Sequence, residues 1–283
     1  MRSTAWMRGF LLAAGVFALL AGSLLALGAD RTERRFAWTI ASELTAAFLN
    51  GMYWTATALL LLSARERLWR AARAGAVAAI LFMSLLFVVM LVHFELLHTD
   101  DHRVLVSAGA WGFLASYAVL PAAGILALAR QLRAGDDGGP RRDPVPPWLR
   151  ALLVVQAGAA LAVGAALLLA GTGAQALWPW PLTPIGARAI GSWVVGLGVL
   201  SAIAARDADR RRISPVASAY LVLAALQAIA LARFGEEVQW DRPAAWFYAA
   251  GLASFLAVGL AGLARGFERA RDRQLDRPTP EGV

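Results

Sequence analysis

The sequence predicts an all-α polytopic membrane protein, with eight transmembrane helices arranged as two parallel four-helix repeats. Three observations carry that expectation. The first is composition: of 283 residues, 59% are hydrophobic and 16% charged, with a mean hydropathy of +0.58. Soluble domains carry about 25% charged residues. The second is a series of eight apolar segments, near 9–29, 36–62, 74–97, 104–129, 149–170, 184–205, 215–233 and 244–264. Each supplies or nearly supplies the ~20 apolar residues that a spanning helix needs. The third is an internal echo, in which Phe36-Ala-Trp38 recurs as Trp178-Pro-Trp180 at a sequence offset of 142.

Taken in order, the first segment follows Arg2 and Arg8 and has an apolar run of about twenty residues. That is longer than the ~7–15 of a signal-peptide core. Trp6-Met-Arg8 also returns, at the same offset, as Trp148-Leu-Arg150. Segment one is therefore expected to be a structural helix. Segments two and six close on Ala64-Arg-Glu66 and Ala205-Arg-Asp207, 141 apart, and Asp101 and Asp241 mark equivalent turns 140 apart. Pro181 and Pro184 set the start of segment six, since proline suits the first helical turn. Between segments four and five lies a stretch rich in Gly, Pro and charge, expected as a surface linker. The resulting division is 1–132 and 148–268 for the two repeats, 133–147 for the linker and 269–283 for a polar tail. Four helices per repeat is an even number, so both copies run in the same sense, related by an axis along the membrane normal.

All 27 basic residues are arginine, and the chain has neither lysine nor cysteine. Schiff-base chemistry, the P-loop lysine, disulfides and thiolate metal or iron–sulfur sites are thereby excluded. Twenty arginines fall in the termini and alternate connections of one side, against six on the other, with Arg188 inside a helix. The positive-inside rule then puts both termini in the cytoplasm of a bacterial inner membrane. The charge of +8 reads as a lipid-facing belt and not as a nucleic-acid surface.

Candidate chemistry collects at the opposite end. Glu43, His93, Glu95, Arg188 and Gln227 are expected to line one outward-facing polar cavity, because polar groups in spanning segments face the bundle interior. Glu43 and Arg188 are expected to form an ion pair, which is either a binding site or a structural lock on helix register. Asn50 and Gln227 also suit interhelical hydrogen bonding, and the Trp-Pro-Trp stretch suits an interfacial anchor. His98, Asp101 and His102 form the alternative site, two imidazoles and a carboxylate spaced for one metal ion. No nucleophile elbow, zincin motif or phosphate loop is present, and no cofactor is implied.

The run Trp178 to Pro184 with Ala187-Arg188, together with Phe36 to Ile40 and Leu44-Thr-Ala46, resembles motifs of uncharacterised bacterial multi-pass membrane proteins. The resemblance spans segments two through seven and brings no substrate, cofactor or catalytic residue. Ser42-Glu43 departs from it where Thr183-Pro184 stands in the second half. Three functions stay open: a transporter or small-molecule-binding protein, a metal-binding or enzymatic protein using the histidine cluster, and an assembly subunit of a membrane complex. Lipid is the expected partner in each.

Overall fold

The computed structural model describes residues 2–27, 32, 36–135 and 143–275, with 265–275 as backbone only. Its helices are α1 (Ala5–Ala26), α2 (Glu43–Arg65), α3 (Trp69–Val92), α4 (Val104–Arg133), α5 (Pro147–Ala170), α6 (Pro184–Asp207), α7 (Arg210–Phe234) and α8 (Pro243–Leu275). Each contains a stretch long and apolar enough to cross a membrane. The chain is an all-α polytopic protein in contact with lipid. The core of the expected linker, 136–142, and the last part of the expected tail, 276–283, lie outside the described residues. Before that, α8 continues to Leu275, past the point where the tail was expected to begin.

Local chemistry sets the helix starts. Thr4, Ser42 and Thr183 accept hydrogen bonds from the backbone N–H groups of Met7, Thr45 and Gly186, and Asp209 accepts from Arg211 and Arg212. Such caps contribute about 1 kcal/mol each. The segment expected as a helix from residue 36 is extended as far as Ser42, and α2 starts at Glu43. The reason is visible in its partners: Trp38 pairs with Leu97 in an antiparallel bridge, and the Ala37 carbonyl accepts the His98 N–H at 2.8 Å. Backbone groups committed across the chain are not free for a helix. α3 likewise stops at Val92, followed by 3-10 turns at Phe94–Leu96 and His98–Asp100.

Packing separates four inner helices from four outer ones. α2 packs on α1 and crosses to α7, while α6 packs on α5 and crosses to α3. Two thirds of the α2 and α6 spans are buried, against 17% of the α8 span, so α8 belongs to the lipid-facing layer. α5 and α6 cross at Gly164 and Gly191. A Cβ at Gly164 would lie 2.6 Å from the Val195 nitrogen, and one at Gly191 would lie 2.6 Å from that of Leu168. Only glycine permits that approach.

The connections gather at two ends. At the basic end, the bridge between Arg2 and Leu68 has a counterpart between Pro144 and Asp209. Ser3 N–H donates to the Arg67 carbonyl, as Val145 N–H does to that of Ala208. The last residues of the expected linker are thus docked. Arg73 also binds the buried Asp207 here through two contacts, one of them 3.1 Å. At the other end, His98 N–H donates to Ala37 and Gln239 N–H to Pro179. In each set the later residues follow the earlier by 142 and 141 positions (144 against 2 and 209 against 68; 179 against 37 and 239 against 98).

Candidate functional site

The candidate site residues lie toward the end opposite the arginine-rich connections, but in four separate places. Arg188 sits on the second turn of α6. Its guanidinium lies 3.1 Å from Nε2 of His93, the residue that closes α3. An arginine only donates, so Nε2 accepts and His93 is neutral with its proton on Nδ1. His93 is 9% exposed, and burial lowers its pKa. The Arg188 charge lowers it further, and the exposed Glu95 offsets part of this. Gly171 makes room for the pair: it has φ +56°, and a Cβ there would lie 3.1 Å from the guanidinium.

The Glu43–Arg188 ion pair does not form. Glu43 opens α2 on a different face, where it lines a groove of about 320 Å³ together with Asn50 and Arg233. The cause is the packing of the inner helices. α2 is flanked by α1 and α7, and α6 by α5 and α3, so equal depth on the two does not bring side chains together. Asn50 anchors the groove floor by donating its amide N–H to the Gly22 carbonyl at 3.0 Å.

Gln227 lies in the bundle and is fully buried. It donates to the Phe48 carbonyl at 3.1 Å and accepts from the Tyr248 hydroxyl at 3.0 Å. Both ends of its amide are used, tying α7 to α2 and α8.

His98, Asp101 and His102 do not converge on a common point. Nδ1 of His98 is 3.0 Å from the Phe36 carbonyl, so it donates, and Nε2 accepts from the Thr39 hydroxyl at 3.0 Å. Both nitrogens are occupied in latching the 36–40 segment. Asp101 is held by Arg103, which keeps its carboxyl well below the usual range. His102 is 89% exposed and lies 3.6 Å from Asp101. Among the described residues, no group of three or more His, Asp or Glu side chains could hold a metal ion.

The tryptophans expected at the headgroup surface are core residues. Trp178 and Trp180 are 5% and 0% exposed, and Trp180 Nε1–H donates to the Thr45 hydroxyl at 2.9 Å. Both meet Phe48 and Tyr248 edge-on or at a steep tilt. Gln175 holds their loop folded, donating to the Trp180 carbonyl and accepting from Leu182 N–H.

Two residues acquire roles that sequence reasoning did not give them. Glu237 reaches back to cap α2, accepting from the Ser42 hydroxyl at 2.6 Å and Leu44 N–H at 2.9 Å. Arg233 shares the groove with Glu43. Its place in the last turn of α7, at the depth where α2 begins, was the available signal. The hydroxyls of Tyr53 and Tyr117 meet at 2.9 Å beside a narrow apolar cavity of about 50 Å³, whose wall includes Phe82 stacked on Trp193.

Fold and site together define a multi-pass helical membrane protein with a polar groove at one end. Compared with family models, curated proteins and solved structures, the chain matches none.

Proposed function

We propose that this is a bacterial inner-membrane protein with cytoplasmic termini, built from two parallel four-helix repeats, that binds an organic ligand in the Glu43–Asn50–Arg233 groove. The recurrence of backbone bonds at offsets of 142 and 141 supports the duplication, and the arginine asymmetry supports the orientation. In that orientation the groove faces outward. The observation that carries the function is the contrast between the polar groups. Arg188, His93, Gln227 and His98 are satisfied by protein partners, whereas Glu43 and Arg233 are exposed on one open groove. Paired groups hold a structure together. Arg233 lies over the Phe234 ring, but neither charge has an ion-pair partner among the described residues, and such charges on a concave surface are open to a ligand. A transporter would use the groove as its outward binding site. The metal reading loses its support, because His98 is committed to the 36–40 segment.

The test is a thermal-stabilisation screen of small amphiphilic and polar compounds on the purified protein and on Ala47→Phe, which fills the groove. Compounds that stabilise the wild type should fail on the variant. A screen in which both proteins respond alike to every compound would refute a ligand site here.

A further inference from the structure

The groove has a counterpart, and the two differ in one respect. α2 carries α1 and α7 on its flanks as α6 carries α5 and α3. Ala47 lies on the groove wall; its partner at an offset of 141 is Arg188, which lies between Gly171, just past α5, and His93, at the end of α3. Phe234 lines the groove; its partner at the same offset, in the first half, is His93. The second cleft is therefore occupied by the protein's own cation and its acceptor. The first is left open by a methyl side chain, with a carboxylate and a guanidinium along its walls. The protein supplies its own polar filling on one side, and something else must supply it on the other.

Three properties identify that filling. The groove opens sideways: α1 and α7 each pack on α2, with no comparable packing between them. Its wall includes Ile229, 55% exposed on a spanning helix, so it is continuous with the lipid-facing surface. Its charged groups are one acid and one base, Glu43 and Arg233. Neither is in an ion pair among the described residues, and Arg233 lies over the Phe234 ring with its N–H groups still available to a ligand. A guanidinium fork matches phosphate oxygens, and a carboxylate accepts the N–H groups of a primary ammonium. Asn50, seven residues along α2 from Glu43, lies about 10 Å deeper, at a level where ester carbonyls would follow a headgroup.

We propose that the groove holds a phosphoethanolamine lipid, with Arg233 on the phosphate, Glu43 on the ammonium and the acyl chains running along Leu226 and Ile229. The assignment rests on the groove being a ligand site. It also orders the lipids. A choline headgroup keeps the phosphate but has no N–H for Glu43, and a glycerol headgroup brings no cation to balance it.

The experiment is native mass spectrometry of the full chain in detergent, titrated separately with phosphatidylethanolamine, phosphatidylcholine and phosphatidylglycerol of identical acyl chains. The expected result is about tenfold tighter retention of the ethanolamine lipid, the size of one charge-assisted hydrogen bond. Arg233→Gln should lower that retention about tenfold. Glu43→Gln should abolish the preference over choline while leaving the melting temperature within a few degrees of wild type. Equal retention of the three lipids, or an unchanged preference in Glu43→Gln, would overturn the assignment. So would water-soluble phosphoethanolamine binding as tightly as the lipid, which would make acyl chains irrelevant. Ala47→Phe separates the two levels of failure. If the ethanolamine preference is absent but another compound stabilises the wild type and not this variant, the groove stands and the lipid class falls. If no compound separates them, both fall.

Discussion

Replacing Gln227 tests whether the buried polar groups of this bundle hold it together or serve a ligand. The side chain is 0% exposed and joins three helices through the Phe48 carbonyl and the Tyr248 hydroxyl. It also fits closely, since a Cβ on Gly51 would lie 2.6 Å from its amide nitrogen. Gln227→Leu keeps most of the volume and removes both hydrogen bonds. Interhelical hydrogen bonds in membranes contribute ~0.6 kcal/mol on average and ~1.7 at most. The Tyr248 hydroxyl would also be left buried without its acceptor, so the loss should be about 1–3 kcal/mol. Gln227→Ala adds a cavity and should cost about 3–5 kcal/mol. Both are measurable by reversible unfolding in mixed micelles or by thermal melting in detergent. Stabilisation by a groove ligand should survive in Gln227→Leu. A variant as stable as wild type that nonetheless loses ligand stabilisation would show that Gln227 belongs to the site.

Three further outcomes follow from other contacts. Asp207→Ala leaves the Arg73 guanidinium without its carboxylate in a mostly buried place and should destabilise by about 3–5 kcal/mol. Adding Arg73→Ala should recover part of that, and strictly additive losses would show that the two are not coupled. Gly171→Ala should displace Arg188 from His93, because a Cβ at positive φ meets the guanidinium; unchanged stability and an unchanged His93 titration would contradict this. His93 has a folded pKa below its unfolded value of about 6.5. Its contribution is therefore complete above that pH and is lost as pH falls through the folded pKa. Melting temperatures from pH 8 to pH 5 should fall more for wild type than for His93→Gln, which retains an acceptor and does not titrate. Parallel profiles would sink the assignment.

The helices were legible in the sequence because membrane crossing is mainly a matter of length and apolarity, which composition records directly. What misled was interaction across the chain. Phe36–Ile40 looks like the start of a helix, and only its pairing with the 97–98 turn explains why it is extended. The Trp-Pro-Trp loop has the composition of an interfacial anchor. Whether an indole lies in the headgroup layer or folds inward depends on a partner such as Thr45, 135 residues away. The site was half legible for a similar reason. Spacing along a helix gives depth, and depth puts Glu43, Arg188 and His93 at one end. It does not say which neighbour each helix faces, and that decides that Arg188 meets His93 while Glu43 meets the groove of Arg233.

The crossed packing of the inner helices bears on biosynthesis. α2 finds its long-range partner in α7, which begins at Arg210. The ribosome adds ~5–20 residues per second, so α2 emerges on the order of ten seconds or more before that partner exists. Through that interval its Asn50 side chain, and the face at Phe48 later covered by Gln227, must be sheltered by α1 or by the insertion machinery, whereas Thr55 and Thr57 donate within α2 itself. α3 waits a shorter time for α6. Release of the nascent chain into lipid is thus tied to completion of the second half. Truncation before α7 should yield a product cleared by membrane proteases and not a stable six-helix fragment.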